Sequence, residues 1–332
     1  MDKEVLFEAL FYEKQGDNIS CKLCPHNCLI KEGSHGKCNV RVNRLGVLYS
    51  LNYAEITSMA QDPIEKKPLY HFKPGSKILS VGSFGCNFSC DFCQNYSISQ
   101  GRASSEYISP EKLVEICQGL EGNIGVAFTY NEPSIWYEYV YKTSRLLKEN
   151  IKDIKIVLVT NGYIQVEPLK MILPYVDAMN IDLKSFNNKY YKDICGGSIS
   201  PVLDTIKISS KQSHVEVTTL IVNGENDSSD EIQKIAEFIA SVDKNIPLHL
   251  SRYFPSYKMD NPATEIDVMI KDKDIAKKYI NYVYIGNVQG VDNSTYCPKC
   301  CYKLIQRDNY NVKVNTKFDI CVKCGYKTNI IL

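Results

Sequence analysis

The chain has 332 residues, 44% apolar and 23% charged, with a net charge of +1, an ordinary globular composition with room for one large domain and small appendages. So neutral a balance sets up no strong field toward nucleic acid or anionic lipid, and no apolar run approaches the roughly 20 residues that span a bilayer. The N-terminus carries acids where a secretory signal has bases, so a cytoplasmic protein without membrane contact is expected.

Residues 1–75 read as a Cys-rich N-terminal segment. A short helix is expected over 1–20, with Val5, Leu6, Leu10 and Phe11 on one face, and a hairpin strand near 41–50. The stretch Pro63 to Pro74, with three prolines and three lysines, reads as an ordered surface crossing. Cys21, Cys24, Cys28 and Cys38 make a closed set of four whose irregular spacing suits either zinc or an auxiliary [4Fe–4S] cluster. His26 and His35 read as bystanders.

Residues 76–290 change to strand–helix alternation. Strands are expected at 78–84, 124–130, 154–160, 178–183, 214–222 and 246–252, with helices near 109–120, 134–149, 167–173, 200–211 and 230–242. Ser109 before Pro110 is a strong helix start. A further helix near 264–280 leads to a seventh strand near 282–287. Such alternation argues for right-handed βαβ units on a parallel sheet, as a six-unit partial barrel with its site at the C-terminal strand edges. Polar residues recur there: Glu132, Asn161, Asp182, Lys184 and Arg252.

The first strand runs into Cys86-Asn-Phe-Ser-Cys90-Asp-Phe-Cys93. Three thiolates on one loop can hold three corners of a cubane [4Fe–4S] cluster and leave the fourth iron open to a ligand. Three buried or zinc-bound thiols are the alternative. Residues 291–332 carry Cys297-X2-Cys300 and Cys321-X2-Cys324, the spacing of a four-cysteine zinc ribbon, with short strands at Leu304 and Val312 and with iron as the second choice. Cys301 is left over as a spare thiol.

Fourteen cysteines are heavy usage for a reducing compartment, and twelve of them fall in these three groups, which favours metal centres over disulfides. Of the remaining two, Cys117 reads as core. Cys195 is a candidate hydrogen donor at the barrel mouth, although a small buried hydrophobe is the simpler reading. Arg252 is a candidate substrate contact and His249 has the same two readings, with hydrogen-bonded structure the simpler one for both.

The Cys86 motif, with Phe92 before its third cysteine, resembles the radical S-adenosylmethionine enzymes, and the strand ends resemble those of glycyl-radical activating enzymes. The resemblance implies a partial (β/α)6 barrel with small Cys-rich metal-binding extensions at both ends. Tyr130-Asn131-Glu132-Pro133 matches a Gly-Gly-Glu-Pro-like element, which would make Glu132 the contact for the methionine ammonium, with Tyr130 and Asn131 where glycines are usual. Thr160-Asn161-Gly162 matches an element near the adenosine. Asp182 and Lys184 match one near the ribose and carboxylate, a plain ion pair being the alternative.

Cys21-Lys-Leu-Cys-Pro-His-Asn-Cys28, Arg41-Val-Asn-Arg44, Thr129-Tyr-Asn-Glu-Pro133, Ser251-Arg-Tyr-Phe-Pro-Ser-Tyr-Lys-Met259 and Tyr296-Cys-Pro-Lys-Cys300 extend the resemblance to the AmmeMemoRadiSam radical enzymes. These are associated with Memo-type and AMMECR-type partner proteins. The implied activity is reductive cleavage of S-adenosylmethionine by electrons from ferredoxin or flavodoxin, giving a 5′-deoxyadenosyl radical that takes hydrogen from a substrate the sequence does not name. A glycyl-radical activase acting on a partner protein is the rival enzyme reading, and a non-catalytic zinc or iron–sulfur module the rival outside enzymes.

Overall fold

The computed structural model describes residues 6–101 and 103–332. Its centre is one eight-stranded sheet whose strands lie side by side in chain order. These are β1 (Ser58–Pro63), β2 (Lys77–Gly82), β3 (Asn123–Phe128), β4 (Lys155–Thr160), β5 (Ala178–Asp182), β6 (His214–Ile221), β7 (Leu248–Arg252) and β8 (Val283–Gly286). Strands β2 to β8 are parallel, and β1 lies antiparallel along the edge of β2. The parallel strands are nearly continuous apolar runs because both faces of the sheet are covered. Strand β4, for example, buries Ile156, Val157 and Leu158 in succession.

Between the strands run α1 (Pro110–Gly119), α2 (Tyr137–Asn150), α3 (Val166–Ile172), α4 (Ser200–Ser209), α5 (Ser229–Asp243) and α6 (Ile266–Ala276). Ser109 and Ser228 cap α1 and α5 by accepting bonds from the backbone N–H of Lys112 and Glu231. The expected barrel units therefore form, within a few residues of their expected bounds. The expected strands at Leu304 and Val312 form as Lys303–Asp308 and Asn311–Val314.

The first twenty residues differ from expectation. Residues 1–5, including Val5, lie outside the described residues. The rest form strands, Phe7–Glu8, Tyr12–Gln15 and Asn18–Cys21, in place of a helix. Phe11 sits at φ 57°, a left-handed turn that no helix continues through. The hairpin at 41–50 forms as Arg41–Arg44 paired with Val47–Ser50, and Phe7 and Glu8 add to its edge.

Arg41 fastens this segment to the barrel. It is 1% exposed and its Nη2 lies 2.5 Å from Glu138 Oε1 on α2. Leu10 joins the same pair, its carbonyl accepting from Arg41 Nη1 at 2.9 Å and its N–H donating to Glu138 at 2.8 Å. Glu138→Ala should therefore destabilise the protein by about 3–5 kcal/mol, because a buried guanidinium loses its counter-charge. Chemical denaturation of the variant beside the parent protein measures this.

The stretch from Pro63 to Pro74 is not a surface crossing. Ile64, Leu69 and Phe72 are fully buried against Ile78, Ala127, Val157 and Ala178 and plug the barrel interior. Lys67 enters with them because its Nζ meets Asp62 Oδ2 at 2.8 Å. Behind the plug, Glu216 on β6 accepts from the backbone N–H of Tyr70 and His71 at 3.0 and 2.7 Å and meets His249 at 2.6 Å and His214 at 3.0 Å. His249 is thus a structural partner of Glu216.

This interior makes stability pH-dependent. Burial pushes His71 down to about 3 from its ordinary 6.5. Burial alone would raise Glu216, but the bonds from His214 and His249 outweigh it and hold the carboxyl well below 4.5. Below pH 6.5 the unfolded chain binds a proton on His71 that the folded chain refuses, and Glu216 adds the same effect below 4.5. More protons on the unfolded state means stability that rises with pH. These two groups lower the urea midpoint between about pH 7 and about pH 4, while Asp272, whose carboxyl burial pushes up to about 7, acts in the opposite sense over the same window. The fall should therefore be smaller in His71→Asn, and steeper in Asp272→Asn, than in the parent protein.

Candidate active site

Strand β2 delivers the cysteine loop at the C-terminal edge of the sheet, and aromatic side chains between the cysteines anchor it. Phe88 is buried against Tyr163, ring centres 4.8 Å apart, and Phe92 against Tyr190 at 6.2 Å. Gly85, at φ 86°, lets the loop pass the N-terminal segment closely. A Cβ there would stand 2.5 Å from Val40 Cγ1 and 2.9 Å from the carbonyl oxygen of Cys38. Asn87 donates to Tyr163 O at 2.7 Å and accepts from Asn161 Nδ2 at 2.8 Å. Ser89 and Asp91 donate to the carbonyls of Cys195 and Ile194 at 2.9 and 3.2 Å.

Cys86, Cys90 and Cys93 line a cavity of about 370 Å³, within the range of small-molecule sites. Tyr130, Asn131, Glu132, Thr160, Asn161, Asp182 and Lys184 line the same cavity. Elements separated by up to about a hundred residues in the chain are thus brought to one wall by the parallel sheet.

Glu132 is 2% exposed. Its carboxylate accepts from Ser134 N at 2.9 Å, Thr160 Oγ1 at 2.6 Å and Asn161 N at 2.7 Å. Burial pushes the carboxyl up and these bonds pull the other way, with burial prevailing. Thr160 and Asn161 therefore hold Glu132, and Asn161 carries the connection on to Asn87 in the cysteine loop.

Lys184 Nζ lies 3.0 Å from Asp182 Oδ2 and 5.6 Å from the Phe92 ring centre. Burial works against its charge, but Asp182 and the thiols of Cys90 and Cys195 outweigh it and hold the ammonium well above its ordinary range. The pair is both an ion pair and part of the cavity wall.

Where glycine is usual, Tyr130 takes φ 71°, a strain of roughly 1 kcal/mol. Its hydroxyl donates to Asp62 Oδ2 at 2.9 Å, and Lys67 Nζ sits 4.7 Å from its ring centre. Asn131 accepts from Ser83 N at 3.0 Å and donates to Gly85 O at 3.1 Å, splicing this loop to the cysteine loop. Asp62, Lys67 and Asn87 were not singled out by sequence reasoning. Asn87 sits inside the cysteine motif, a signal that could have found it. Asp62 and Lys67 carry none, because their partner is 68 residues away from Asp62.

Two candidates stand off the cavity wall. Cys195 is fully buried in the turn Tyr191–Cys195 with its thiol against Cys90, and its carbonyl clamps the loop. Arg252 donates from Nε to Thr264 O at 2.6 Å and packs over Phe254, while its neighbour Ser251 reaches the cavity.

At the C-terminal module, Cys297, Cys300, Cys321 and Cys324 bring their Sγ atoms within 4.8 Å of one another. The pairs Cys297–Cys324 and Cys300–Cys321 are 3.6 and 3.7 Å apart. A tetrahedron with metal–sulfur bonds of about 2.3 Å has edges of about 3.8 Å, so these thiols fit a single ion. Cys301 is exposed.

The family model described as Radical SAM superfamily matches residues 80–239, from β2 to α5. An uncharacterised protein of Methanocaldococcus jannaschii is 43% identical, with 98% of this chain and 99% of that protein aligned. A second protein of that organism, named as a putative glycyl-radical enzyme activating enzyme, is 27% identical over 64% of this chain and 82% of its own length. The crystal structure of a radical SAM methyltransferase from Sphaerobacter thermophilus superposes with a TM-score of 0.51 at 16% identity, covering 69% of this chain and 71% of that one, a likeness of fold. The matched segment holds the three-thiol loop and every strand end that reaches the cavity up to β6, and the chain belongs to the radical SAM superfamily of enzymes.

Proposed function

We propose that Cys86, Cys90 and Cys93 hold a [4Fe–4S] cluster and that S-adenosylmethionine fills the rest of the cavity against Glu132, Asp182 and Lys184. The carrying observation is the convergence of three thiols, one buried carboxylate and one ion pair on a single cavity wall. The donor set fits both groups: three thiolates leave one iron open, and the wall offers a carboxylate for an ammonium and a lysine for a carboxylate. When bound, the cluster supplies one electron to the sulfonium and so releases the 5′-deoxyadenosyl radical that takes hydrogen from substrate.

The protein's own residues bind, orient and shield. Glu132, fixed by Thr160 and Asn161, presents its remaining acceptor capacity to the methionine ammonium. Lys184 faces the methionine carboxylate, and Asp182 holds Lys184 and meets the ribose. Tyr130, Asn131 and Asn161 tie the strand ends to the cysteine loop, so cluster and cofactor keep one relative position. Cys195, beneath Cys90, holds the loop from behind, and Arg252 orders the segment after β7.

Within the superfamily, the N- and C-terminal cysteine motifs support the AmmeMemoRadiSam group, with Memo-type and AMMECR-type proteins as partners, ferredoxin or flavodoxin as reductant, and the cytoplasm as compartment. The spacing of the C-terminal thiols supports zinc there. The name of the 27%-identical relative makes a protein-borne hydrogen the substrate class to test first, although nothing at the site favours a glycyl-radical activase over other substrates. The deciding experiment is anaerobic: reconstituted protein, dithionite and S-adenosylmethionine, with 5′-deoxyadenosine measured by mass spectrometry alone and with each partner protein. Product is expected, and a reconstituted protein with no cluster iron on the three cysteines overturns the reading.

A further inference from the structure

We propose that Cys21, Cys24, Cys28 and Cys38 hold a second, closed [4Fe–4S] cluster packed against the radical loop. The four line one enclosed cavity with Ile30 and Ile135. Among the described residues, only the C-terminal cysteines bring ligand atoms within 4.8 Å of one another in a group of three or more. The N-terminal four do not, and neither do Cys86, Cys90 and Cys93. A single ion draws its thiolates onto one small tetrahedron, whereas a cubane carries each thiolate on a separate iron and holds them farther apart. This comparison rests on the reading of Cys86, Cys90 and Cys93 as cluster ligands.

The second observation is Arg41. It lines the same cavity, is 1% exposed, and its Nε is buried with no hydrogen-bond partner. An orphaned buried donor costs about 1–3 kcal/mol unless an acceptor meets it. A cluster supplies such acceptors as sulfide and thiolate, and its negative charge suits the guanidinium. Backbone N–H groups already face the sulfurs: Lys37 N lies 3.4 Å from Cys28 Sγ, Leu23 N faces Cys21, His26 N faces Cys24, and Val40 N faces Cys38. Hydrogen bonds to sulfur of this kind set cluster potential.

The site abuts the radical loop. His26 Nε2 lies 2.7 Å from the carbonyl of Asn87, the residue after Cys86, and the carbonyl of Cys38 stands against Gly85, the residue before it. Four thiolates leave no open iron, so this cluster binds no S-adenosylmethionine. Its place suits passage of one electron at a time toward Cys86, each replaced from a low-potential donor protein.

The test is metal content in the anaerobically reconstituted full chain. C86A/C90A/C93A protein should keep about four iron and four labile sulfide per chain, roughly half the parent content. Its dithionite-reduced EPR signal should not shift on adding S-adenosylmethionine. Cys24→Ser and Cys38→Ser in the otherwise intact chain should likewise halve the sulfide, while the signal that S-adenosylmethionine shifts remains. A triple variant free of sulfide and holding a second zinc, or serine variants that keep the full sulfide content, overturns the proposal. Failure of the radical-site reading looks different: the triple substitution would then leave the parent sulfide content unchanged.

Discussion

Alanine at Cys86, Cys90 and Cys93 together should drop 5′-deoxyadenosine formation to the level of a protein-free control. The loss is complete because the three thiolates are the cluster's whole protein attachment at an open site, and electron delivery to the sulfonium has no other route in this cavity. The fold should survive. Phe88 and Phe92 pin the loop by packing, and Asn87, Ser89 and Asp91 pin it by hydrogen bonds that need no cysteine side chain. Far-UV circular dichroism and the urea midpoint of the metal-free variant should therefore match those of the metal-free parent. Single substitutions sharpen the result. Cys195 has its thiol against Cys90, so Cys90→Ala leaves a nearby sulfur that can stand in, while Cys86→Ala does not. Residual product should follow Cys90→Ala and not Cys86→Ala. Equal residual product from both would remove any stand-in role for Cys195.

The parts of the molecule legible in the sequence are those where local pattern and tertiary environment agree. Parallel strands covered on both faces must be apolar throughout, so Ile156-Val157-Leu158 and its counterparts stand out in the sequence. Ligand spacing is as plain, since one short loop or one knuckle carries the thiols. Illegible parts depend on partners far away in the chain. Leu6, Leu10 and Phe11 fit a helical face as well as a strand, and the left-handed turn at Phe11 decides between them. Lys67 reads as surface until Asp62 and the ring of Tyr130 enclose it. Glu216 looks like one more charge on a strand, yet it joins four groups from three segments inside the barrel. The same holds within the site. The motif puts Thr160 and Asn161 beside the adenosine, and both line the cavity; their bonds to Glu132 are a further contact that no local pattern carries. Arg252 was singled out at a strand end, where alternation turns each successive side chain to the opposite face. Ser251 faces the cavity and Arg252 packs over Phe254.

Glu132→Gln should weaken S-adenosylmethionine binding roughly 10- to 100-fold, the equivalent of about 1.5–3 kcal/mol for a hydrogen bond to a charged partner, with iron and sulfide content unchanged. Two effects act in the same direction. The amide loses the charge that an ammonium seeks in a buried wall, where solvent screens little. It also turns one acceptor oxygen into a donor, so that the backbone N–H of either Asn161 or Ser134 faces an N–H in place of a carboxylate oxygen. That second effect is local strain around Glu132 and can be separated from the first. Thr160→Val removes one bond to Glu132 but leaves its charge, so it should weaken binding several-fold less than Glu132→Gln does. Isothermal titration on the oxidised, cluster-loaded protein reads both variants, and the cofactor-induced change in the EPR signal reads them again in the reduced state. If the two substitutions weakened binding equally, the carboxylate would serve to order the strand ends and the ammonium would have to be met elsewhere, with Asp182 the remaining acidic group on the cavity wall.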